Sequence, residues 1–113
     1  MMSRFPHTPD GRYFVSKGRL WRTTNPHLPE ERRKRLVSDL MTARRDVHRF
    51  RDDPTKLKDA RARVHAAKVA LGERGPVWWE DGMEDVLQKA PWNTHYADWW
   101  DGLTDAERQA GLD

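Results

Sequence analysis

The stretch PEERRKRLVSDLMTARRDVHRFRDDPTKLKDARARVHAAKVALG, residues 29–72, decides the fold. Its apolar residues recur at Leu36, Leu40, Ala43, Val47 and Phe50, then at Leu57, Ala60, Val64, Ala67 and Leu71. The steps alternate between three and four, the period of one face of an α-helix. Asp52-Asp53-Pro54 separates the two runs. Asp53 suits an N-cap and Pro54 a first helical turn. Pro29 with Glu30 and Glu31 opens the first run, and Gly72 and Gly75-Pro76 close the second. The spacing predicts helices over 29–50 and 54–71. So short a turn makes them antiparallel neighbours. Phe50 then meets Leu57, Val47 meets Ala60, Ala43 meets Val64, Leu40 meets Ala67 and Leu36 meets Leu71. Large faces small in most layers, so the helices can approach closely.

The flanks of this seam differ. One sets Asp39 and Asp46 against Lys56 and Arg63, opposite charges. The other sets Arg44 and Arg51 against Arg61 and Lys68, four cations with no helical acid opposite. Like charges so placed repel, and an anion is expected along that flank. The chain offers one of its own. Residues 1–76 hold 19 Lys and Arg against 9 Asp and Glu, a net +10, while residues 77–113 hold 2 against 9, a net −7. The acidic part also holds five of the six tryptophans. Glu80, Asp81, Glu84 and Asp85 are therefore expected beside Arg44, Arg51, Arg61 and Lys68.

Outside the helices, Arg12–Ser16 and Arg19–Thr23 are short aromatic and β-branched runs around Lys17-Gly18, and they predict a β-hairpin. Residues 1–11 carry two prolines and no periodicity, and read as a flexible lead-in. Met83–Ala90 reads as two helical turns, and His95–Leu103 as a short helix capped by Asn93 or Thr94. Thr104-Asp105-Ala106-Glu107 fits a capping box opening a last helix. The expected fold is mainly α. An antiparallel helical hairpin (29–72) is joined to a short N-terminal β-hairpin (12–24), with a Trp-rich acidic segment of short helices (76–113) packed over it. At 113 residues the chain is expected to be one domain.

Several blocks carry a resemblance. They are Gly11-Arg12-Tyr13-Phe14-Val15, Gly18-Arg19-Leu20-Trp21-Arg22 with Asn25-Pro26, Leu40–Arg45, Ala67–Trp79 and Asn93–Trp99. Together they resemble a family of small uncharacterised bacterial proteins, over residues 11–100. The resemblance implies a bacterial origin and a folded unit, and brings no catalytic residues. Some members carry a label invoking Tol-type biopolymer transport, which calls for a membrane segment that these residues do not contain. Members tend to have proline where this chain has His95.

Composition removes several chemistries. With no cysteine there is no disulfide framework and no Cys-ligated zinc. Ser3, Ser16 and Ser38 lie outside any Gly-x-Ser-x-Gly elbow, and Gly72-Glu73-Arg74-Gly75 lacks the lysine of a phosphate loop. His95 and Asp98 share a helix face, but no second histidine lies near, and neither metal nor cofactor is expected. No apolar run approaches a membrane span and no apolar leader follows Met1, so a cytoplasmic protein is expected.

The expected function is that of a non-catalytic small binding or adaptor protein acting through protein–protein contacts. Trp79, Trp99 and Trp100 would be its anchors, with Arg45 and Arg49 on the exposed helix face. Self-association into a homodimer would cover Val37, Met41 and Val69. The rival reading is a nucleic-acid-binding protein using Arg32, Arg33, Arg35, Arg45 and Arg49 on the basic face of the helical hairpin.

Overall fold

The three-and-four apolar rhythm folds as two helices. The computed structural model describes residues 4–113. In it β1 spans Tyr13–Ser16 and β2 Arg19–Arg22, α1 spans Glu30–Arg49 and α2 Pro54–Leu71. A 3-10 turn, Pro91–Asn93, then precedes α3, Ala97–Asp101, and α4, Asp105–Leu112. The chain divides into two compact units. Residues 24–78 form a helical unit, and the chain on either side of it, through Thr23 and from Trp79 onward, forms a sheet unit.

In the helical unit, the Asp53 carboxylate caps α2 by accepting from the Lys56 amide at 3.1 Å, with Pro54 in the first turn. Gly72 ends α2 in the left-handed region, φ 84°. The seam lies where the spacing puts it. Leu40, Ala43, Ala60, Ala67 and Leu71 are buried, and Leu28, Leu36 and Val64 pack against the Leu40/Ala67/Leu71 cluster. Burial of a leucine such as Leu71 contributes about 1.5–3 kcal/mol. On the mixed-charge flank Arg63 bridges Asp46 at 2.9 Å and Asp59 at 3.0 Å. Asn25 donates its amide to the Leu71 carbonyl at 2.8 Å, tying the connector to the end of α2.

In the sheet unit, β1 and β2 pair antiparallel with Tyr13 opposite Arg22 and Val15 opposite Leu20. Lys17 and Gly18 both take positive φ, 54° and 72°, the turn geometry that suits the right-handed twist of a hairpin. Tyr13, Val15, Leu20 and Arg22 point to the buried face. The lead-in is not loose in its described part. Val15 donates to the Pro6 carbonyl at 3.0 Å and Thr8 to the Tyr13 carbonyl at 2.9 Å, so the segment runs along β1. The beginning of the expected lead-in, residues 1–3, lies outside the described residues.

The expected helix over Met83–Ala90 does not form. Instead Leu20 donates to the Lys89 carbonyl at 2.9 Å and Gln88 donates to the Leu20 carbonyl at 2.7 Å. The open edge of β2 needs backbone partners, and this segment supplies them, with Gln88 at φ 69°. Edge pairing and the burial of Val86 outweigh local helix propensity. The expected helix over His95–Leu103 shortens to α3, which has no side-chain cap. The Thr94 hydroxyl accepts from the Tyr96 amide at 3.1 Å and so holds the turn before it. The capping box at Thr104 and Glu107 is present in both directions and opens α4.

Two substitutions test the hairpin. Ala60→Leu overpacks a fully buried layer and is expected to destabilise by about 1–3 kcal/mol in chemical denaturation. A Cβ at Gly72 would lie 2.9 Å from the Asn25 Cβ and 3.1 Å from Trp78 Cδ1. With its positive φ, Gly72→Ala should lose at least about 1 kcal/mol in the same assay.

Candidate functional site

Three kinds of surface compete as a site: the aromatic core with its carboxylates, the cleft beside Trp92, and the cations of the helical unit. The first is structural. The Tyr13 hydroxyl donates to Asp85 Oδ1 at 2.6 Å and accepts from the Val86 amide at 3.0 Å. Asp85 Oδ2 accepts from Arg22 Nη2 at 3.3 Å, where the arginine side chain is 1% exposed. Arg12 pairs with Asp81 and lies over the Trp79 ring, 4.8 Å from its centroid. Tyr96 donates to Asp10 at 2.6 Å, and the Thr8 hydroxyl donates to the same carboxylate at 2.7 Å. The rings interlock edge-on, Tyr13 with Trp79 at 5.6 Å and with Tyr96 at 5.7 Å.

These contacts correct the expected charge pairing. Asp81 and Asp85 are held by Arg12 and Arg22 of the β-hairpin, where Arg44, Arg51, Arg61 and Lys68 were expected to hold them. The sequence carried a signal for this. Arg22 follows Leu20 by two, so strand alternation turns it inward, and an inward arginine requires a carboxylate.

The same packing corrects two expected anchors. Trp79 and Trp100 are 7% and 5% exposed and belong to the core. Trp79 Nε1 donates to the Met83 carbonyl at 3.0 Å, and Trp100 packs on Gly111. Trp99 stays half-buried, its ring 6.3 Å from Tyr96. Within each adjacent tryptophan pair one ring is buried and the other is not. The exposed ring that the sequence did not single out is Trp92, 45% exposed. With Leu112, Gly18, Lys17, Arg19 and Lys89 it lines an open cleft of about 800 Å³ in the sheet unit.

The helical unit carries 14 Lys and Arg against 8 Asp and Glu, a net +6, whereas the rest of the chain carries 7 against 10, a net −3. Arg32, Arg35, Arg45 and Arg49 are exposed, as the basic-face reading requires. Arg33 is tied to Glu30 at 3.1 Å and is the weakest member of that set. Arg45 donates to the Thr42 hydroxyl at 3.2 Å, and Arg49 lies 5.0 Å from the centre of the Phe50 ring. Among the described residues of this unit, no carboxylate lies within 4 Å of Arg32, Arg35, Arg44, Arg45, Arg49 or Arg61.

The all-cation flank also differs in one member. Because α1 ends at Arg49, Arg51 falls in the turn, beside Asp52 at 3.9 Å and His48. Arg74 takes its place: Arg44, Arg61, Arg74, Val47 and Val64 line a cleft of about 370 Å³. Of the apolar residues expected at a homodimer surface, Val37 and Met41 are exposed and Val69 is half-buried.

Among the described residues, no group of three His, Asp or Glu side chains is placed to hold a metal ion. No described helix is long and apolar enough to cross a membrane.

The two tyrosines set a pH limit on the sheet unit. Burial, reinforced by the neighbouring carboxylates, pushes the Tyr13 and Tyr96 hydroxyls well above the usual phenol range. Partial burial pushes Asp10 up, but hydrogen bonds from Tyr96 and Thr8 outweigh it and hold the carboxyl below its ordinary value. A tyrosine whose folded value is raised contributes stability that is fully present below about pH 10 and is lost as pH climbs through the folded value. Since these are the chain's only tyrosines, phenolate absorbance reports on them alone. It should stay low past pH 10 and then rise together with loss of near-UV dichroism. Tyr13→Phe, which leaves the Val86 amide without its partner, should lower stability at neutral pH by about 1–3 kcal/mol. Comparisons with protein-family profiles, curated proteins and solved structures each return no match to this chain.

Proposed function

We propose that this protein is a non-catalytic binding protein whose basic helical hairpin holds nucleic acid through the phosphate backbone. The observation that carries this reading is the distribution of partners. Asp81 and Asp85 are engaged by Arg12 and Arg22 in the sheet unit, while exposed Arg32, Arg35, Arg45 and Arg49 have no carboxylate partner among the described residues of their own unit. Arg35, Arg45 and Arg49 fall on the side of α1 away from the seam, with Ser38 and Thr42 between them as hydroxyl donors. Arginine suits phosphate because its planar fork gives paired donors and its charge persists at any working pH. Contacts of this kind position a duplex or strand without reading bases, so binding is expected to be indifferent to sequence.

A protein partner is the second reading, and a specific observation favours it. Trp92 and Leu112, 45% and 47% exposed, stand in the cleft of the sheet unit with Lys17, Arg19 and Lys89 around them. An exposed tryptophan in a concave, cationic setting is a common anchor of protein interfaces. With Trp79 and Trp100 in the core, this reading rests on Trp92 rather than on the anchors expected from sequence.

Fluorescence anisotropy with generic duplex DNA and single-stranded RNA separates the two. Nucleic-acid binding should appear at about 50 mM salt and fall by orders of magnitude toward about 200 mM. The combined variant Arg35→Gln/Arg45→Gln/Arg49→Gln should weaken it alike for all sequences and flatten the salt slope by about one for each contact removed. Absence of binding at the lower salt overturns the proposal.

A further inference from the structure

The two flanks of the helical hairpin are built on opposite plans. On one, Arg63 sits between Asp46 and Asp59, so charge is balanced inside the hairpin. On the other, Arg44 comes from α1, Arg61 and Lys68 from one stripe of α2, and Arg74 from the turn after Gly72. Arg44, Arg61 and Arg74 converge on a cleft whose remaining lining is Val47 and Val64. Among the described residues of the helical unit, no carboxylate lies within 4 Å of Arg44, Arg61, Lys68 or Arg74. The nearest acid felt there is Glu73, which attracts Lys68 but accepts a hydrogen bond from the Thr24 hydroxyl at 3.0 Å. Arg74 is also steered by His65, 3.5 Å from its Nη1.

We infer that this cleft is a binding site for a compact phosphate dianion, either free phosphate or a phosphate monoester group. Three guanidinium forks from different elements can each present paired donors to a tetrahedral anion, the geometry in which arginine surpasses lysine. The cleft's volume of about 370 Å³ suits a small ligand. Val47 and Val64, both half-buried, complete its lining. The mutual repulsion of these cations shows at Lys68. Partial burial, then the charges of Arg74 and Arg44, hold its ammonium below the ordinary lysine value. An anion seated among these groups relieves that repulsion and returns the lysine upward.

The inference does not depend on nucleic-acid binding, since Arg35, Arg45 and Arg49 play no part in it. The test is a titration of the whole isotope-labelled chain with inorganic phosphate, then with glycerol phosphate, at constant ionic strength maintained with chloride. Arginine Nε–H and lysine side-chain resonances are followed by NMR. Saturable shifts confined to Arg44, Arg61 and Arg74, with a rise in the Lys68 titration midpoint, are expected. Saturation by glycerol phosphate at lower concentration than by inorganic phosphate identifies the monoester as the ligand, and the reverse order identifies free phosphate.

Arg61→Gln and Arg74→Gln should each weaken binding about tenfold or more, as loss of a charge-assisted contact does. Arg61→Lys, which keeps charge and solubility but loses the fork, should fall between. The variant Arg35→Gln/Arg45→Gln/Arg49→Gln should bind phosphate as the parent does, so failure of the nucleic-acid reading leaves this one standing. Shifts that are linear, spread over all arginines, matched by chloride alone, or retained in the Arg61→Gln/Arg74→Gln double variant overturn it.

Discussion

The hydroxyl of Tyr13 joins the two separated parts of the sheet unit. It donates a hydrogen bond to Asp85 and accepts one from the Val86 amide, while Arg22, directly across the strand pair, binds the other oxygen of the same carboxylate. A buried arginine would be severely unfavourable alone, and a buried phenol hydroxyl left unpaired would cost less but still weaken the fold. Each is made tolerable by one aspartate supplied from the far end of the chain. The aromatic cluster of Tyr13, Trp79 and Tyr96 closes around that arrangement. Asp81 joins in by pairing with Arg12, whose guanidinium covers Trp79.

This arrangement decides the electrostatics elsewhere. The acidic residues that composition suggests as a general counterweight to the helices are in part taken up locally. What remains on the helical hairpin is an excess of cations whose distribution reflects its geometry. Buried Ala43, Ala60 and Ala67 along the seam bring the helices close, which places Arg63 within reach of Asp46 across it. The same closeness on the opposite side brings Arg44 and Arg61 to the walls of one cleft. A single packing choice thus produces one self-neutralised flank and one on which cations gather without a helical acid opposite.

The helical hairpin was legible because its signal is local and repeated: ten apolar positions, a cap at Asp53 and a stop at Gly72 all agree. The β-hairpin was legible from two short aromatic and β-branched runs around Lys17-Gly18, although the inward row of Tyr13, Val15, Leu20 and Arg22 emerges only in the structure. Residues 83–90 were not, because their conformation answers to an unpaired strand edge far away in sequence. The backbone of Leu20 bonds both Gln88 and Lys89 from more than sixty residues away. Charge counts set the acidic segment against the cations of the helical hairpin, but a count has no direction, and Asp81 and Asp85 pair with Arg12 and Arg22. Only the inward position of Arg22 pointed to the acceptor. The tryptophan pairs posed a similar difficulty, since adjacency guarantees that the rings diverge without saying which one enters the core. The cleft among Arg44, Arg61 and Arg74 was half legible: the flank was, but the exchange of Arg51 for Arg74 depended on where α1 stops.

The helical unit is a single uninterrupted stretch, whereas the sheet unit is assembled from two segments that flank it in the chain. On a ribosome the hairpin of α1 and α2 can therefore assemble as soon as it emerges. Tyr13 and Arg22 must wait, still without Asp85, until the segment after α2 has been made. The order of synthesis delivers the cationic hairpin before residues 79–113, so newly made chains carry its unmatched positive charge before the segment that completes the sheet unit exists.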